Sequence, residues 1–252
     1  MKYFISLLFL SLLGLECYSQ TKFIHVFVCL CDNENQGIVP VPKKIGNGND
    51  ADNNLYWGCA FGMRTYFKNS AEWELVSSEK IISKIIMERC VFRHATSDVV
   101  LVADAYRGKN MRECLFDYFQ CLSGNDSDTI KAYGKIFLPG SANLATFIGH
   151  DGLMDTQFDS YPKQKGIQKT DAMIFCCYSK EYFSDAVKSA GANPLLWTTG
   201  LMSPEAYSLK AALDGWLLKE TPQQIRERAA QAYHKYQQCG IKGARGLFTT
   251  GF

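Results

Sequence analysis

A mostly parallel β-sheet with helices on both faces, a three-layer α/β sandwich, is the fold class that the sequence predicts. Short runs of β-branched and aromatic residues recur along the chain, and stretches with apolar residues at helical spacing alternate with them. No repeat, low-complexity tract or Pro/Ser-rich linker interrupts residues 20–252. Strands that read as continuous apolar runs are those covered on both sides, and the intervening helices are what parallel connections require. One α/β domain over residues 20–252 is therefore expected.

The elements follow in order. Lys2 and the apolar stretch from Tyr3 to Leu15 form the charged and apolar regions of a signal peptide. That stretch is shorter than the ~20 residues of a spanning helix, so no permanent membrane span is expected. Cys17 and Ser19 occupy the two small-residue positions of a cleavage site. Residues 1–19 are thus read as a leader, and the rest as a periplasmic or secreted protein. Phe23–Cys31 is the first strand and Ile38–Asn54 a loop, in which the Asn, Asp and Gly cluster from Gly46 to Asn54 lacks the ligand spacing of a calcium-binding loop and is read as flexible surface. The spacing of Ile81, Ile82, Ile85, Ile86 and Cys90 predicts a helix, with His94 just after it, and Val99–Ala103 a buried strand. Asn110 and Glu113 predict a capped helix that Gly124 ends. Ala145–Ile148 and Ala172–Cys177 are two further strands. Ser179 is expected to cap a helix carrying Phe183, Ala186, Val187 and Ala190 and ending at Gly191. Leu195–Thr198 is a strand, Ser203 and Pro204 open a helix, and Thr221, Pro222 and Gln224 form the capping box of the last one.

Charge excludes some partners. The net charge is +2, and removing residues 1–19 leaves it unchanged because one Lys and one Glu go together. No strong attraction to nucleic acid follows, and neither does a particular oligomeric state. Ten cysteines, less Cys17 in the leader, leave an odd nine. Their spacings match no zinc ligand set, so no metal and no cofactor is expected, and buried thiols are the default for most of them.

Two residues draw attention as chemistry. In open α/β sheets, sites form beyond the carboxyl ends of the strands. His150 and Cys177 both fall there, separated by 27 positions (177 − 150), enough for a parallel crossover. Cys177 also precedes a helix whose N-terminus is expected to lower its pKa. A thiol beside an imidazole supports attack on a carbonyl, with His150 as acid and base. Backbone N–H groups around Asp151, Gly152 and Cys177 are candidates for holding the oxyanion. Asp104 and Arg107, at another strand end, and Asp155 and Asp159, in the loop after His150, are weaker candidates for substrate contact. His25, His94 and His234 are read as structural or solvated.

An apolar strand ending in Gly149-His150-Asp151-Gly152, followed by one ending in Cys176-Cys177-Tyr178-Ser179, resembles the caspase-like cysteine peptidases, the bacterial CHAT-type members above all. The likeness covers about residues 95–240. It implies a caspase-like three-layer sandwich, Cys177 as nucleophile, His150 as general base, and a peptide or protein substrate. Asp151 stands where the family usually has glycine directly after the histidine. Two other readings remain: a non-catalytic binding protein of the same fold, and a redox protein using Cys176 and Cys177.

Overall fold

The computed structural model describes residues 21–252; the leader peptide expected over 1–19 lies outside the described residues. Along the chain run β1 (Lys22–Cys29), α1 (Met63–Lys68), β2 (Trp73–Lys80), β3 (Ile86–His94), β4 (Val99–Tyr106), α2 (Met111–Ser123), β5 (Ile130–Ala132) and β6 (Lys135–Phe137). Then come β7 (Leu144–Ile148), β8 (Asp171–Phe175), α3 (Ser179–Ala190), β9 (Asn193–Thr198), α4 (Ala206–Leu217), α5 (Pro222–Gln237), α6 (Ile241–Leu247) and β10 (Phe248–Thr249).

Eight strands form one sheet in the order β10-β9-β8-β7-β1-β4-β3-β2, and β5 with β6 makes a separate hairpin. The five central strands β9, β8, β7, β1 and β4 are parallel, whereas β3, β2 and β10 run antiparallel to their neighbours. Strand alternation divides the core in two. Ile24, Val26 and Val28 of β1 pack with residues of α4 and α5. Phe23, Phe27 and Cys29 pack with residues of α2 and α3 on the other face. Helices thus cover both faces, as the apolar runs predict. The sheet is mixed, with a parallel centre and antiparallel edges.

The largest departure lies at residues 81–94. In place of a helix, the chain turns at Ile81–Ile85 and returns as β3 against β2. Ile81 adopts a φ of 60° and is 77% exposed, and the Ser83 hydroxyl accepts the N–H groups of Ile85 and Ile86. Isoleucines in adjacent pairs fit a helical face, but β-branched side chains also favour strands, and pairing with β2 and β4 decides the outcome. His94 accordingly ends a strand.

Two caps also differ from expectation. Asn110 closes a short 3₁₀ turn that runs straight into α2, and its side chain makes no capping bond. Ser179 is the first residue of α3. Its hydroxyl donates to the Ile174 carbonyl and accepts from the Thr198 N–H, tying β8 to β9. The Thr221 and Gln224 capping box is present, and Gly124 and Gly191 end α2 and α3 in the left-handed conformation. The 38–54 loop is pinned: Asn54 is fully buried and bonds to Cys31, Asn47 and Tyr56 backbone groups.

Asp104 is a sheet residue within β4 and lines a pocket with His25 and Arg89 that does not include His150 or Cys177. It is fully buried, opposite Arg89 of β3, which donates two hydrogen bonds of 2.6 and 2.7 Å to its carboxylate. Nε2 of His25 in β1 lies 3.0 Å away on the same carboxylate. Burial pushes the carboxyl up, but the bonds from Arg89 and His25 outweigh it and hold its pKa below the ordinary value. The cluster joins three strands. Asp104→Ala, which leaves the 19%-exposed Arg89 side chain and the buried His25 without their shared partner, is expected to lower the unfolding free energy by about 3 kcal/mol in urea titration. A loss under about 1 kcal/mol would contradict this account.

Candidate active site

β7 and β8 pair in register from Leu144↔Asp171 to Ile148↔Phe175. His150 and Cys177 each stand two residues beyond that last pair, at the carboxyl ends of adjacent strands. Both line one cleft, of about 410 Å³, with Gly149, Tyr56, Leu201 and Met202.

The imidazole is held from one side. His150 is nearly buried, and its Nε2–H donates to Asp155 Oδ2 at 2.6 Å. The same oxygen accepts the Gly37 N–H at 3.0 Å. A Cβ at Gly37 would lie 2.7 Å from Asp155 Oδ1, so glycine lets the loop after β1 close on this carboxylate. Nδ1 of His150 is left without a hydrogen-bond partner among the described residues. Asp155, expected as a substrate contact, is in this structure the group that orients His150.

Cys177 is half-buried. Its thiol faces the Met202 backbone in the loop after β9: Sγ lies 3.7 Å from the carbonyl and accepts the N–H at 3.4 Å. No hydrogen bond joins it to His150 among the described residues. Burial pushes the thiol pKa up, the Met202 N–H opposes this, and the nearby Asp151 carboxyl raises it further. The expected lowering by the helix is therefore reversed. Tyr178, at a φ of 48°, separates Cys177 from α3, and the first N–H groups are taken: Tyr178 by the Gly200 carbonyl and Ser179 by Thr198 Oγ1. Cys176 points to the opposite face and is buried against the α2 and α3 side. All nine cysteines of the described residues are free thiols.

The remaining candidates lie elsewhere. Asp151 is fully buried outside the cleft lining; Oδ1 accepts the Leu153 N–H at 3.0 Å and Oδ2 has no partner. Gly152 packs on α2, where a Cβ would meet Met111 Cγ at 2.2 Å. Both side-chain positions face the helix layer, and neither residue is among those that line the cleft with His150 and Cys177. The glycine of this turn that lines the cleft is Gly149, before the histidine. Arg107 follows β4, outside the cleft lining, and bonds the Lys84 carbonyl and Asn49 Oδ1, fastening the β2–β3 turn to the 38–54 loop. Asp159 is exposed and also outside the cleft. Gly37, Tyr56 and Met202 escape sequence reading because they join the site only through chain return, and no local motif marks them.

Among the described residues, no cluster of three or more His, Cys, Asp or Glu is arranged to hold a metal ion, and no helix is long and apolar enough to cross a membrane. Compared with models of protein families, with curated proteins and with solved structures, the chain matches none.

Two pH dependences follow. Burial pushes the Asp151 carboxyl up to about 7, with Asp155 and Glu181 adding to the rise. The folded state thus keeps a proton that the unfolded chain releases near pH 4, so this group's contribution to stability falls as pH rises from about 4 to 7. Asp151→Asn should flatten that part of the urea-midpoint profile; an unchanged slope would refute the assignment. Alkylation of Cys177 by iodoacetamide should rise with pH through a single transition displaced above that of an ordinary thiol. A rate already at plateau near pH 6 would mean a resting thiolate instead.

Proposed function

We propose that the protein is an exported cysteine peptidase of the caspase-like kind, cleaving peptide bonds with Cys177 as nucleophile and His150 as general acid and base. The observation that carries this reading is the shared cleft: an imidazole and a thiol at equivalent positions on neighbouring parallel strands. The order of the two along the chain, histidine strand before cysteine strand, and the resemblance of their turns to that family support it. Export rests on the character of residues 1–19.

The chemistry follows from which atoms are free. Asp155 holds Nε2–H, so Nδ1 is the nitrogen available as base. Because the resting thiol is neutral, its proton passes to Nδ1 as sulfur attacks the substrate carbonyl carbon. The tetrahedral intermediate collapses with rupture of the C–N bond, and Nδ1–H protonates the departing amine. Water then attacks the thioester, giving its proton to Nδ1. Rupture of the C–S bond releases the carboxylic product, and the thiol regains its proton.

Two observations favour a second reading, a non-catalytic binding protein: the thiol pKa is raised, and no hydrogen bond links it to His150 among the described residues. The two readings separate on a fluorogenic peptide library. For the peptidase, Cys177→Ala abolishes turnover, His150→Ala lowers kcat by about 10²- to 10⁴-fold, and Asp155→Ala lowers it less. A wild-type protein that turns over no member of the library, with iodoacetamide spread over several cysteines, would establish the binder instead.

A further inference from the structure

We infer that the cleft beside Cys177 is a subsite for a large apolar side chain, of leucine or methionine size, on the acyl side of the bond attacked. This rests on the peptidase reading and adds the substrate class. The walls come from three directions: Val39 and Val41 from the loop after β1, with Leu55 at its end; Met154 from the turn after β7; Leu201 and Met202 from the loop after β9. Val39, Leu201 and Met154 are 88%, 71% and 45% exposed, so an apolar rim assembled from three loops surrounds the thiol. Singly exposed apolar residues are ordinary on a protein surface, but three converging on one cleft form a patch with something to cover.

Charge weighs against the alternatives. No lysine or arginine lines the cleft, so an acidic side chain would meet no cation. The one carboxylate in the lining is Glu205, and it is already engaged by the Tyr207 hydroxyl at 3.0 Å and the Gln237 amide at 3.2 Å. Both bonds fall on Oε2, so a basic side chain would find one carboxylate oxygen, Oε1, in a lining otherwise dominated by hydrocarbon. Burying a charge that is not fully paired is far costlier than burying a hydrocarbon, so the cleft favours the hydrocarbon.

The test separates the subsite from the chemistry. With ¹³C-methyl methionine incorporated into Cys177→Ala protein, the Met154 and Met202 methyl signals report binding of three acetylated tripeptide amides ending in Leu, Asp or Arg. The expected result is tighter binding of the leucine peptide by roughly 10-fold or more, reduced by Leu201→Glu. Equal binding of the three, or preference for Asp or Arg, overturns the inference. In a parallel arm, wild-type protein is treated with the three corresponding peptidyl chloromethyl ketones, in which the Cys177 sulfur displaces chloride to form a thioether. Leucine preference in binding without labelling of Cys177 leaves the apolar subsite standing and removes the peptidase reading. Labelling that favours the aspartyl or arginyl ketone overturns the subsite and keeps the peptidase.

Discussion

The pairing of β7 with β8 is the constraint on which the site depends. Because side chains alternate along a strand, a slip of one residue between Leu144–Ile148 and Asp171–Phe175 would carry the histidine and the cysteine out of step. Cys176 shows what the other parity gives: a thiol buried in the hydrocarbon layer under α2 and α3. Register is in turn fixed by burial on both faces. Phe147 and Ile174 pack to one side, Ile148 and Phe175 to the other, and a slip would exchange the two sets.

Strand order explains why three loops meet beside Cys177. Chain progress runs outward from β1 in one direction to β4 and in the other through β7, β8 and β9. Connections leaving β1 and β7 therefore diverge, and a crevice opens between them at the carboxyl ends. The loop after β1 enters it with Gly37 and Val39, the turn after β7 supplies His150 and its partner Asp155, and the loop after β9 supplies Met202. Gly37 links the first two, since its N–H and its lack of a side chain are both needed for Asp155 to sit where it does.

The parallel centre of the sheet was legible because its strands are short, apolar and bounded by glycine or polar residues, and because α2, α3 and α5 carry their own stops or caps. The antiparallel edge was not. Trp73–Lys80 is half-exposed, with charged residues on its open side, so it has no continuous apolar run, and the isoleucines at its turn imitate a helical face. His150 and Cys177 were legible as strand-end residues, and their neighbourhood follows from the crossover between them. The roles of the next residues were not: Asp151 faces the helix layer and Asp155 faces the imidazole, and only the path of the turn decides between them. Asp104 misled for a similar reason. A charge near the end of an apolar run suggests a site, but Arg89 two strand-lengths earlier in the chain turns it into a buried cross-strand pair.

The apolar walls and the neutral thiol are two consequences of the same surroundings. A site that removes water from Cys177 disfavours its thiolate, and the helix behind it offers little relief because its first N–H groups are already bonded. In the proposed peptidase, sulfur would therefore need a base at the moment of attack, which would place the burden on His150 and, through it, on Asp155. On the same proposal, a substrate covering the rim of Val39, Met154 and Leu201 would lower the effective dielectric and strengthen the remaining electrostatic contacts. The proposed base would then be most effective with the proposed subsite filled, and an apolar side chain in the cleft would act on reactivity as well as on affinity.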